Sequence, residues 1–342
     1  MAVGTMAESS RFANFQRWVG KNQAPLLLVA LAIIIPEVLT GSTPVWNLIN
    51  PLAVLGLLGF YGCGVILIRE LSIRWGNGWA GILPLGFAYG VAEEGIATKT
   101  MVDPKSSAAG PYLGSFGHFL GINWVFAVAI VLFHVVFSIS LPILIVGLKY
   151  PTTRGQRWLS DRGTLVTLFL LAISVTIGFF GFDPHYFEGY AVLLFLLGVL
   201  AGFVIVARIA RREWLVPRTL HPRNSPAWFL GLGVACAFGW LIFYLPGPYV
   251  IRVPVLDILG QIGTLVTGLY VLRERVGREQ NELHLVYFAA GLLSWYFLWD
   301  FIISFIALDF LVWIFLGGVY WILYRLKVRY ATVPTLPPAL PT

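Results

Sequence analysis

Ten apolar stretches alternate with short polar segments along the chain, at about residues 25–42, 51–68, 78–98, 119–148, 163–181, 189–207, 227–246, 253–272, 283–305 and 308–324. Each is long enough for a helix to cross the roughly 30 Å of bilayer hydrocarbon. The pattern predicts an all-α fold, a polytopic integral membrane helix bundle of about ten transmembrane helices filling residues 25–330. Residues 1–24 read as a polar cytoplasmic segment and the Pro-rich residues 331–342 as a disordered tail. The fourth stretch is long enough to tilt, with a kink expected near Pro142. Residues 1–24 lack a short apolar core followed by a small-residue cleavage site, so no removable signal peptide is expected.

Charge sets the orientation. When the polar segments are assigned alternately to two sides, 20 of the 23 Lys and Arg residues fall on one side. That side is cytoplasmic by the positive-inside rule, which places both termini in the cytoplasm of a multi-pass protein of the cell membrane. The composition agrees, at 58% hydrophobic and 11% charged residues with a mean hydropathy of +0.82. No soluble fold could hide so much apolar surface, and the expected partner is the lipid bilayer. The net charge of +7 does not imply nucleic acid, because the basic residues sit in short loops between apolar runs. Residues 149–157 and 207–223 could touch anionic lipid, although orientation alone accounts for their charge. Cys63 and Cys236 fall inside apolar runs and are expected to pack as small hydrophobes. No Cys/His cluster has metal-ligand spacing, so neither a metal nor another cofactor is expected. The absence of an internal repeat weighs against transporter folds built from two related halves.

The chemistry concentrates in residues 86–104, where Glu93 and Glu94 stand side by side within the third apolar run. Each ionisable group in hydrocarbon costs about 2.5–3.5 kcal/mol or more, and two adjacent carboxylates cannot both ionise cheaply. Gly86, Gly90 and Glu94 are spaced four apart, so the glycines offer a close-packing face that turns Glu94 toward a neighbouring helix. Glu93 lies about 100° round, on the face of Tyr89. In the fourth run, Asn123, His134 and Ser138 are expected to form one polar seam. The segment between these runs is rich in Gly, Pro and Ser, carries Lys99 and Lys105, and could fold over the outer end of the third helix. Further acids lie at a similar depth: Asp257, sharing a face with Gln261 and Thr264, then Asp300, Asp309 and Glu37. They suggest a polar vestibule open to the outside. Trp295, Trp299 and Trp313 read as an interfacial aromatic belt.

A Glu-Glu pair in one span, a basic residue after it and a His in the next span resemble the CAAX prenyl endopeptidase and bacteriocin-processing (CPBP) group of intramembrane glutamic proteases. In that family the pair is followed, after three residues, by Arg; here Thr98 holds that place and Lys99 comes one position later. A second family motif sets Phe four residues before His; here Ile130 precedes His134. The third, His four before Asn, has no counterpart. The resemblance spans about 60 residues, Gly86 to Gly147. It implies a hydrolase in which Glu93 or Glu94 acts as general base on water and His134 orients that water or steadies the oxyanion. Lys99 would balance charge or dock a substrate carboxylate, and the substrate would be a peptide or membrane protein. The residues also admit a proton- or cation-coupled transporter, with Asp257 and Asp300 continuing an acid path from Glu93 and His134. A third reading is a non-catalytic subunit bound to a partner protein, whose polar groups only join helices.

Overall fold

Hydrocarbon offers no partner to backbone N–H and C=O groups, so a spanning segment closes its hydrogen bonds internally, and the apolar runs fold as helices. A computed structural model describes residues 19–109 and 114–332. Its ten long helical segments correspond one to one with the ten apolar runs. They are α1 (Gln23–Val38), α2 (Pro51–Trp75), α3 (79–97), α4 (Trp124–Lys149) and α5 (Asp161–Gly181), then α6 (Tyr190–Ile209), α7 (Pro226–Tyr244), α8 (Pro254–Arg275), α9 (Glu282–Ile306) and α10 (Val312–Ala331). Seven of them are long and apolar enough to cross a membrane: α2 and α4 through α9. The N-terminal 18 residues and the tail from 333 onward lie outside the described residues.

Local chemistry sets the helix boundaries. Asn50, Ser160 and Ser225 each accept a backbone N–H in the first turn of α2, α5 and α7. Gly76 ends α2 in the left-handed conformation, at φ 72°. Between α3 and α4 the chain makes one two-residue hairpin, His118–Phe119 against Ile122–Asn123. α9 is interrupted at Leu293 and Ser294, between Glu282–Leu292 and Trp295–Ile306. Trp295 is not in an interfacial belt, as the sequence suggested, but buried among Phe133, Phe137, Trp240 and Tyr296. Trp299 and Trp313 also turn inward, donating to Thr40 O and Ser304 Oγ.

Two glycine contacts organise the bundle. On α3, a Cβ at Gly86 would stand 3.3 Å from Val135 Cα, and one at Gly90 would stand 3.2 Å from Val131 Cα and 3.5 Å from His134 Cβ. The small-residue face read from the sequence is therefore the α3–α4 contact. On the other side, Gly233 of α7 and Gly291 of α9 meet so closely that a Cβ on either would fall within 2.4 Å of the opposing backbone.

The first four helices share a second feature. Each widens over a short stretch into π-helix, at Ile34–Val38, Leu58–Gly62, Val91–Ala97 and His134–Ser140. Leu39 N bonds to Ile34 O and Thr98 N to Glu93 O, five residues back instead of four. Such stretches insert a residue into the helical ladder and recur at functional sites. The irregularity of α4 thus lies in the turns just before Pro142.

Gly90→Val should drive α3 away from α4 and destabilise the protein by about 1–3 kcal/mol, the ordinary cost of overpacking. Thermal unfolding in detergent should show a lowered Tm, whereas Gly198→Ala, on α6 where a Cβ would meet nothing within 4 Å, should leave it unchanged.

Candidate active site

The four π-helical stretches each contribute a polar side chain to one buried cluster: Glu37 from α1, Tyr61 from α2, Glu93 and Glu94 from α3, and His134 and Ser138 from α4. At its centre is the His134 imidazole, 2% exposed. Its Nε2 lies 2.8 Å from Glu94 Oε1. Its Nδ1 lies 2.9 Å from Ser138 Oγ and 3.4 Å from Glu93 Oε2. One imidazole is thus bracketed by two carboxylates, an arrangement that can take up a proton on either side.

Aromatic groups close the cluster. The Tyr61 ring stacks on the imidazole with centroids 6.2 Å apart, and its hydroxyl donates to Glu37 Oε1 at 2.5 Å. Glu37 Oε2 accepts from Thr43 Oγ1 at 2.5 Å. Tyr89 stands edge-on to the imidazole at 5.8 Å. Its ring occupies the space that a Cβ on Gly64 would need, at 2.4 Å. The Tyr89 hydroxyl is buried beside the Glu93 carboxylate, whose Oε2 accepts no hydrogen bond among the described residues.

Glu94 is held from the other side by the segment that follows α3. Thr98 Oγ1 donates to Glu94 Oε2 at 3.3 Å, and Thr100 Oγ1 makes a short bond to the same atom. Met101 N donates to Glu94 O. The segment therefore folds over the end of α3, as its composition suggested. Asn123 anchors it: its Nδ2 donates to Thr100 O and Asp103 O, and its Oδ1 meets His118 Nδ1 at 2.6 Å.

The structure sorts the residues singled out from the sequence. Glu93, Glu94, His134 and Ser138 come together. Asn123 does not join their seam, because α4 begins only at Trp124 and Asn123 belongs to the hairpin. Lys99 neither balances the carboxylate pair nor is free to dock a carboxylate. It adopts φ 60°, points its Nζ to Asp183 O and Tyr186 O, and sits over the Phe179 ring.

The expected acid vestibule does not form. Asp257 is buried beside Gly247, and Gln261 reaches Val125 O and Phe243 O across α4 and α7. Asp300 is buried near Tyr296, and Asp309 accepts from Val45 N. Of the other acids only Glu37 joins the cluster. Sequence reasoning missed Tyr61, Thr43 and Thr100, which carry no periodicity or motif that would mark them, and noted Thr98 only as standing where the family motif has Arg. Glu93, Glu94 and His134 could also hold a metal ion, since they offer ligand atoms all within 4.8 Å of one another. The three come from two helices 40 residues apart, so linear spacing hid this grouping.

Fold and site together define a helical membrane protein with a buried acid–imidazole centre. The chain belongs to an uncharacterized membrane protein family, whose model matches residues 26–337. Neither a curated protein nor a solved structure matches it.

Asn123→Ala would strip partners from two carbonyls and an imidazole, a loss of about 1–3 kcal/mol for buried groups left unsatisfied. Limited proteolysis of folded protein should then cut the segment between Lys99 and His118 several-fold faster than in the unaltered chain.

Proposed function

We propose that the protein is an intramembrane hydrolase of the cell membrane, distantly related to the CPBP glutamic proteases, that cuts a peptide bond in a peptide or membrane-protein substrate. The observation that carries this reading is the imidazole bracketed by Glu93 and Glu94 in mutually facing π-turns. A doubled acid is costly in hydrocarbon, and here it is spent on a single histidine beside hydroxyl donors.

The two carboxylates are not equivalent, and the difference assigns their roles. Glu94 is engaged by His134, Thr98 and Thr100, so it fixes the imidazole. Glu93 Oε2 has no hydrogen-bond donor and stands within reach of His134 Nδ1, so it is the general base. It takes a proton from water as the water oxygen attacks the carbonyl carbon, and the same proton passes to the leaving amine nitrogen when the C–N bond breaks. The Tyr89 hydroxyl, buried beside Glu93, supplies a donor to the oxyanion, the part that Asn plays in the family motif this chain lacks. The Thr98–Thr100 segment follows the end of α3 remote from Arg69 and Arg74, and the positive-inside reading then favours a site toward the outer face.

The transporter reading is the less favoured, since Asp257 and Asp300 are fully buried and do not line an open path. A metal-dependent hydrolase is favoured by one observation, the 4.8 Å grouping of Glu93, Glu94 and His134, and a chelator distinguishes it.

Purified protein in proteoliposomes should cleave members of a peptide library. Glu93→Gln should lower the rate about 10²–10⁴-fold, as loss of a general base does, and Tyr89→Phe about 10²-fold or more, as loss of an oxyanion donor does. Both variants should retain the parent Tm. Cleavage that survives both Glu93→Gln and Glu94→Gln would contradict the proposal. Dialysis against a strong chelator should leave the rate within about twofold; loss restored by zinc or manganese would move water activation to a bound ion.

A further inference from the structure

A large cavity lies apart from the acid–imidazole centre, whose Glu93, Glu94 and His134 do not line it. It has a volume of about 910 Å³ and lies between α2, α3 and α4 on one side and α7, α8 and α9 on the other. Its body is apolar, walled by Phe133, Phe137, Trp240 and Leu265. Its opposite end is ringed by Arg69, Arg154, Arg212, Arg273 and Arg278, against a single lining carboxylate, Glu282. That carboxylate is 3.8 Å from Arg154 Nη1.

Two carboxylates stand against these five arginines: Glu282 beside Arg154, and the buried Glu70, whose Oε2 is 3.8 Å from Arg69 Nη1. Arg69 is 5% exposed and stacks on Trp158 at 3.3 Å. Its Nη2 donates to Thr153 O and Gln156 O, while its Nη1 is buried without a hydrogen bond, with Glu70 Oε2 3.8 Å away. Arg273 Nε is likewise buried without one. Guanidinium groups in this state match an anionic oxygen, which they bind in charge-assisted and often bidentate fashion.

The dimensions point the same way. From Gln261, at the apolar end, to Arg273 is twelve residues of α8, or about 18 Å at 1.5 Å per residue. That compares with roughly 15 Å for one leaflet, half of the ~30 Å hydrocarbon core. The volume is at the upper end of the roughly 300–1,000 Å³ typical of small-molecule sites. An apolar body one leaflet long, closed by arginines that outnumber the carboxylates beside them, has the complementarity of one acyl chain carrying one anionic head.

We propose that this cavity binds a single-chain anionic lipid, with the acyl chain between α4 and α8 and its carboxylate or phosphate on Arg69 and Arg273. Occupancy requires no chemistry at Glu93, Glu94 or His134, so the site stands apart from the hydrolase reading.

Cys236 lines the cavity and serves as a native reporter. In a Cys63→Ser background it is the chain's remaining thiol. The test uses this protein in non-ionic detergent with 11-dansylaminoundecanoate as fluorescent probe. Saturable uptake of one probe per chain is expected, displaced by oleate and oleoyl-lysophosphatidate but not by oleoyl-lysophosphatidylcholine or inorganic phosphate. Oleate should slow maleimide labelling of Cys236 at least fivefold. Arg273→Gln should weaken probe binding about tenfold; should that variant not fold, Arg212→Gln gives the same reading. Equal displacement by the zwitterionic lipid, displacement by phosphate alone, or unprotected Cys236 would each overturn the proposal.

Discussion

A single contact, His134 Nε2 to Glu94 Oε1 at 2.8 Å, constrains the arrangement of the first four helices. Buried charged and polar groups are tolerated in low dielectric only when their partners are in place, and removing one member of such a pair costs about 3–5 kcal/mol. The contact requires α3 and α4 to approach closely, which Gly86 and Gly90 permit by presenting no side chain to Val131, His134 and Val135. It also requires both helices to aim polar groups at the same point. The π-stretches Val91–Ala97 and His134–Ser140 do this by re-aiming side chains locally without breaking either helix.

α4 then divides the molecule chemically. His134 and Ser138, four residues apart, face the acid cluster, while Phe133 and Phe137, one position earlier in the same repeat, wall the large cavity. The helix presents a polar centre on one face and an apolar chamber on another, with no polar group shared between them. Asymmetry in charge follows the same division. The arginine ring closes the chamber, whereas Thr98, Thr100 and the hairpin anchored by Asn123 cover the acids. Hydrolysis at the acids and lipid binding in the chamber are both proposals, and each draws on its own set of side chains.

The helices were legible in the sequence because hydrocarbon leaves few alternatives: each of the ten apolar runs became one long helical segment. The α3–α4 contact was legible as well, since glycines four apart with a glutamate on the same face can mark a helix seam. His134 and Ser138 were found by the i, i+4 rule. The misses have separate physical causes. Asn123 was placed on α4 by extending its periodicity one residue too far, past the hairpin that ends at that position. Lys99 was turned away by a left-handed backbone, which a sequence pattern does not announce for lysine. Asp257, Gln261 and Asp300 shared a depth with the acid pair but not a direction, and depth alone is what the run boundaries reveal. Tyr61 was missed because a π-turn shifts the face of every residue near it, Thr98 was noted only as standing in the motif's Arg place, and Thr100 lies past the end of α3, where helical periodicity no longer applies.

The central claim is the seating of α3 on α4 that brings His134 against the acid pair. It is tested most directly by cross-linking Gly86→Cys with Val135→Cys, which leaves Glu94 and His134 in place, in a chain whose Cys63 and Cys236 are replaced by serine. A Cβ at Gly86 lies 3.7 Å from Val135 Cβ, within the roughly 3.5–4.5 Å that a disulfide spans. Near-complete disulfide formation under mild oxidation in native membranes is the predicted result. A pair that stays reduced under those conditions, while the protein remains folded, would contradict the account.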